Sequence, residues 1–224
     1  MHLPTDALPA DPVAQRLRDR RRVKRAALAS VAAAVLLCLV YLMQGRFDAM
    51  PWTVIPHALP GLVGILTAPL LHGSPEHLMA NVLALLALGT LAGTVYPRAT
   101  GRAIPLAWLG AGVGAWLLGE PGSHHLGASG VAQGLAYLVV TLALLRRDRA
   151  SVAAALIALT FSGGLLVAVL PHDPTVSWQS HLGGAVGGVL SAFLFRHADP
   201  PAPRHVYSWE MEVDGDPDDQ PNSR

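Results

Sequence analysis

Charge is scarce in this chain: of 224 residues only 14% are Asp, Glu, Lys or Arg, about half the share of an ordinary soluble domain, while 52% are hydrophobic. The carboxylates that exist avoid the apolar runs. Between Ala26 and Phe195 they are Asp48, Glu76, Glu120, Asp148 and Asp173, each between runs rather than within one. The single cysteine, Cys38, excludes an internal disulfide and a thiolate metal cage. His72, Glu76 and His77 do not make His-Glu-x-x-His, and no pair of aspartates lies in apolar surroundings. His124 and His125 have no Cys or inward carboxylate to complete a site, and read as an exposed loop pair. No metal and no cofactor are expected, and a net charge of +1 gives no basis for nucleic-acid binding.

What is present is long apolar runs. Six approach the ~20 residues that the hydrocarbon core of a bilayer requires: Ala26–Met43, His77–Tyr96, Ala103–Leu118, Leu126–Leu145, Ala150–Leu170 and Trp178–Phe195. The fold class this implies is all-α, a polytopic bundle of six transmembrane helices. The third run is the weakest as an isolated helix, with Pro105 near its start and five glycines from Gly101 to Gly119. Fifteen of the sixteen Lys and Arg residues fall in the head, the two even-numbered turns and the tail, leaving only Arg46 outside. Both termini are therefore expected in the cytoplasm. A cleaved signal peptide would also have a basic head, but the first apolar run is long for one and no small-residue cleavage site follows.

The expected organisation is a basic cytoplasmic segment (1–25), a membrane domain (26–197) and an acidic, disordered cytoplasmic tail (198–224). The outward stretch Gln44–Glu76 carries Phe47, Trp52, Pro51, Pro56, Pro60 and Pro69, too apolar for a solvated linker and suited to the membrane interface. No internal repeat points to an inverted-repeat transporter. Nothing in the sequence specifies an oligomeric state.

Three runs begin with polar groups. Ser74-Pro75-Glu76 is a helix start, with an N-cap side chain, a proline at the first position and an acid in the first turn. His77 follows in turn one, and Asn81 shares its face about 6 Å deeper. His72 precedes the cap and is expected at the mouth. Ser129, in Gly127-Ala128-Ser129-Gly130, is expected about three residues into its helix, and His181 about three into the last. Gly184 and Gly188 lie on the His181 face, and Gly127 and Gly130 flank Ser129, so the helices can approach closely. A nucleophile, a base and hydrogen-bond donors at matched depth are the minimum for acyl transfer. Each also has a plain structural reading: Ser129 bonded to its i−4 carbonyl, His181 a packing donor, His77 and Asn81 an interhelical clasp, and the glycines a seam.

Jointly, His72, His77 and Asn81, then Gly127-Ala128-Ser129-Gly130 with Gly134, then His181 with Gly184 and Gly188, resemble the rhomboid family of intramembrane serine proteases. The resemblance implies Ser129 as nucleophile and His181 as general base, with His77, Asn81 and the Ser129 backbone N–H holding the oxyanion. By composition, the basic turns fit a bacterial inner membrane; the resemblance has transmembrane proteins cut near the extracytoplasmic leaflet. It also implies a membrane-embedded first outer loop and a gate before the last span. Two departures stand out. The family's Trp-Arg pair is missing from the first outer loop, which bears on loop anchoring. Gln133 replaces the aromatic residue that packs on the catalytic imidazole; facing His181 from the same side as Ser129, it is expected to orient that ring or to bond a neighbouring helix. The rival function is a non-catalytic relative that binds or escorts membrane clients.

Overall fold

The computed structural model describes residues 12–162, 169–171, 173 and 176–200. These form seven helices: α1 (Pro12–Gln44), α2 (Gly64–Thr67), α3 (Pro75–Val95), α4 (Pro97–Leu118), α5 (Ser129–Arg146), α6 (Arg149–Phe161) and α7 (Trp178–Phe195). Three short 3-10 turns lie in the α1–α3 loop, and among the described residues there is no strand beyond one isolated bridge, Val54 to His125. The chain is an all-helical, polytopic membrane bundle. Four helices, α1, α3, α4 and α5, are long and apolar enough to cross a bilayer. α7 is 18 residues long but opens on Gln179, Ser180 and His181, and α6 is described only to Phe161, with 163–168 outside the described residues.

α5 is the central helix, buried over most of its length, whereas the others turn Leu83, Leu109, Leu156, Val186 and Leu194 outward. Such an apolar exterior suits lipid. The interior is built from small residues: Ala92, Ala99, Ala103, Ala132, Ala136, Ala154, Ala158 and Ala192 surround Leu88, Leu138 and Leu142. Lipid and leucine are equally apolar, so close backbone packing has to hold such a bundle together.

α7 lies between α4 and α5 on two glycine stripes. A Cβ on Gly184 or Gly188 would strike the carbonyl of Gly130 or Gly134 on α5, and one on Gly183 would strike the Gly110 carbonyl on α4. One on Gly187 would lie 2.5 Å from the Leu106 carbonyl of α4. The glycines that weaken α4 as an isolated helix thus form half of a packing seam, and α4 starts at Pro97 rather than Ala103.

The α1–α3 loop is fixed without a Trp-Arg pair. From α4, Trp108 and Trp116 donate indole N–H groups to the carbonyls of Leu66 (3.2 Å) and Ala58 (3.0 Å). His57 Nε2 bonds the Leu117 carbonyl (2.9 Å), and Ile65 sits against Gly112. Gln44, the last residue of α1, clamps the backbone N–H and C=O of His72, both at 2.9 Å, and so closes the loop at its base.

At the opposite end the ordered chain runs further than its composition suggests. Asp199, assigned from sequence to a disordered tail, is 5% exposed and caps α4, accepting from the N–H groups of Arg98 (3.0 Å) and Ala99 (2.9 Å). A carboxylate there satisfies orphan donors at the positive end of the helix. Arg146 bonds the carbonyls of Arg196 and Asp199 and lies 5.0 Å over the Tyr96 ring. The rest of the tail, 201–224, and the first 11 residues of the head lie outside the described residues; from Pro12 the basic head is helical and continuous with the first span.

Candidate active site

Ser74 caps α3 as its sequence demands: its hydroxyl accepts from the His77 N–H at 3.1 Å, and Pro75 stands first in the helix. His77 is thereby fixed in the first turn. Asn81, one turn deeper and 3% exposed, donates through Nδ2 to the His77 carbonyl at 2.8 Å, and its Oδ1 has no partner. Nδ2 retains a second hydrogen for use elsewhere.

Gly127 brings the segment before Ser129 to His77 and Asn81. Its φ of +110° is a backbone state that side chains rarely adopt, and its N–H bonds the Ala68 carbonyl at 2.9 Å. A Cβ here would lie 2.6 Å from His77 Nε2 and 3.8 Å from Asn81 Nδ2, so both donors face the Gly127 α-carbon, two residues before Ser129. The turn also moves the helix start: Ser129 is the first residue of α5, not three residues in. Among the described residues its N–H has no partner, as expected of a helix N-terminus.

The plain reading of Ser129, bonded back to its i−4 carbonyl, does not hold. That carbonyl belongs to His125 and accepts from the Val54 N–H at 3.0 Å. His181 is the fourth residue of α7, buried, with its own N–H on the Ser177 carbonyl at 3.1 Å. The neighbours of the two residues are in contact: a Cβ on Gly130 would lie 2.6 Å from Ser180 Oγ and 2.8 Å from the Ser180 carbonyl. Ser129, His181, His77, Asn81 and Gln133 line one cavity of about 1100 Å³. Ser129 and His181 share its wall without a hydrogen bond between them. Gln133 is 6% exposed, lines the cavity and makes no hydrogen bond to a described residue.

Glu120, Ser123, His124 and Asp173 are further polar residues of the cavity lining. The loop before α7 lies partly outside the described residues, which omit 172, 174 and 175. No group of three His, Cys, Asp or Glu side chains among the described residues could hold a metal ion.

His72 is not at the mouth. It is 1% exposed, does not line the cavity, and meets the His77 ring edge-on with centroids 5.2 Å apart. Neither ring nitrogen has a partner in hydrogen-bonding geometry. Burial and, next, the neighbouring His77 pull its pKa down to about 4, the Leu70 carbonyl acting weakly the other way. It is a neutral imidazole against the back of His77. The pair His124 and His125 is also more than an exposed loop: His124 Nδ1 bonds Thr53 Oγ1 (2.7 Å), and His125 is half-buried.

Comparison with known proteins adds three findings. The model of the rhomboid domain matches residues 60–198. Uncharacterized proteins of Mycobacterium bovis and Mycobacterium tuberculosis are each 36% identical over 176 residues, covering 75% of this chain and 72% of theirs. One of Mycobacterium leprae is 37% identical over 142 residues, 59% of this chain and 56% of its own. No solved structure matches.

Proposed function

The chain belongs to the rhomboid family, and on that premise we propose that it is an intramembrane serine protease that cleaves transmembrane proteins with a Ser129–His181 dyad. The observation that carries this reading is the shared cavity: Ser129, His181, His77 and Asn81 all line one space within an apolar bundle. Polar side chains at such depth are costly unless used.

In the proposed reaction the Ser129 hydroxyl attacks the scissile carbonyl and its proton passes to His181. The imidazolium then gives that proton to the leaving amine, and a water entering past Glu120 and Asp173 hydrolyses the acyl-enzyme by the same base. The tetrahedral oxyanion would be met by the Ser129 N–H, the second Asn81 Nδ2 hydrogen and His77 Nε2–H. His77 serves only as a neutral or cationic donor through Nε2, and the neutral His72 behind it leaves that role undisturbed. Ser129 and His181 close to hydrogen-bonding distance when substrate or transition state occupies the cavity, since such contacts are often long in an empty site.

The Lys and Arg distribution supports six crossings with both termini cytoplasmic and the cavity opening outward, in a bacterial inner membrane. The rival reading, a non-catalytic relative that holds membrane clients, gains from the missing Ser129–His181 hydrogen bond and from Gln133. A fluorophosphonate probe separates the two. Labelling of the wild type that is lost in both Ser129→Ala and His181→Ala supports the protease; an unlabelled wild type supports the binder.

A further inference from the structure

The loop between α4 and α5 leads directly into Ser129, and one of its residues ties together three separate parts of the molecule. His125 pairs its backbone with Val54 of the α1–α3 loop in both directions, each bond 3.0 Å. Its Nδ1 lies 2.7 Å from Ser177 Oγ, the N-cap of α7, and its Nε2 lies 2.9 Å from Ser123 Oγ. The proton positions follow from the neighbours. Ser123 donates its hydroxyl hydrogen to the Glu120 carbonyl (2.6 Å), so its oxygen must accept from His125 Nε2–H. Ser177 Oγ already accepts from the Ser180 N–H (3.3 Å), so its own hydrogen is free for His125 Nδ1. One neutral tautomer satisfies every partner. Burial, and then His124, holds the His125 pKa below the ordinary histidine range, in keeping with that neutral form.

We propose that His125 is a positioning residue that sets the spacing of Ser129 and His181 by locking the start of α5 to the N-cap of α7. His125 stands four residues before Ser129, in the loop that leads into α5, and Ser177 four before His181, at the N-cap of α7, so the bond joins the two segments just outside the reacting groups. Below them the helices are held by the glycine stripes at Gly130 and Gly184; above them this side-chain bond is the matching tie. α5 needs one, because Ala128 at its N-cap offers no side-chain cap of its own. Without the tie the upper ends of α5 and α7 can part while the seam stays closed, and a displacement near 1 Å at the reacting atoms costs on the order of 10²-fold in rate.

The inference rests on the protease reading, and its test keeps the two separable. Full-length wild type, His125→Ala, Ser177→Ala, the double variant and His125→Asn are compared for kcat and KM on a transmembrane substrate. Asn places an acceptor oxygen near the Nδ1 position and can still receive the Ser177 hydroxyl. Each single alanine variant is expected to lower kcat by roughly tenfold to a hundredfold with KM almost unchanged, the double variant no further, and His125→Asn to recover most of the loss. An unchanged kcat in His125→Ala, additive losses in the double variant, or His125→Asn no better than alanine would overturn the proposal. If the wild type itself is inactive, the protease reading fails, and hydrogen exchange decides whether the tie exists. His125→Ala should speed exchange at the Ser180 and His181 amides, 55 and 56 positions away in sequence, and unchanged protection there would refute it.

Discussion

Replacing Gly184 by alanine tests whether α5 and α7 meet closely enough to bring Ser129 and His181 together. A Cβ at this position would lie 2.6 Å from the Gly130 carbonyl carbon and 3.2 Å from its Cα, where ordinary contact begins at 3.4 Å. Both are backbone atoms and the carbonyl oxygen lies closer still, so no rotamer change relieves the clash and the helices must part by at least 0.8 Å, the difference between 3.4 and 2.6 Å. Overpacking of this kind costs about 1 to 3 kcal/mol, and a shift of this size at the reacting pair costs on the order of 10²-fold in rate. Gly183→Ala is the control, because its Cβ meets the Gly110 carbonyl of α4, with a comparable loss of stability but no direct push on α5. The assay is kcat/KM on a transmembrane substrate beside thermal unfolding in detergent. At similar destabilisation, Gly184→Ala should lose far more activity than Gly183→Ala. Equal activity losses would show that general instability is responsible, and a Gly184→Ala protein with normal stability and rate would refute the close contact itself.

Gly127→Ala should reduce kcat by about 10² or more, because its Cβ would meet His77 Nε2 at 2.6 Å and alanine resists a φ of +110°; steady-state kinetics that match the wild type would remove His77 from the oxyanion site. At Gln133, tyrosine should preserve cleavage if packing on His181 is the need, leucine should lose rate if the amide hydrogen bond is, and alanine should be impaired in both cases; three wild-type rates would leave Gln133 no role in orienting the base. His72 makes the bundle sensitive to acid: with a folded pKa of about 4 against 6.5 in the unfolded chain, the unfolded state binds more protons in this window. Stability should fall as pH drops from about 6.5 towards 4, and His72→Phe should flatten that part of a thermal unfolding profile.

Local chemistry made some parts of this architecture legible before any coordinates. Ser74-Pro75-Glu76 can only begin a helix efficiently, so His77 and Asn81 were placed correctly, and Gly184 and Gly188 mark a stripe that any close partner could use. Features that depend on long-range partners were not legible. Leu126 to Ala128 are apolar enough to pass for helix, and only the φ of Gly127, set by the Ala68 carbonyl and the His77 ring, moves the helix start to Ser129. Glycine in α4 was counted as a local weakness because its cost is paid within the helix, while its gain lies in contact with Gly183 and Gly187. Trp108 and Trp116 take their roles from the carbonyls of Leu66 and Ala58, 42 and 58 residues away in sequence, which no local pattern reveals. Asp199 was hidden by the average composition of a polar tail, and His125 by its exposed neighbour.

The central claim is that Ser129 and His181 together break a peptide bond within the membrane. Its most direct test is cleavage of a model transmembrane protein by the purified chain in liposomes, with the products mapped by mass spectrometry. The account predicts a cut near the extracytoplasmic end of the substrate helix by the wild type, and none by folded Ser129→Ala or His181→Ala. Cleavage above background by either folded variant would contradict the dyad.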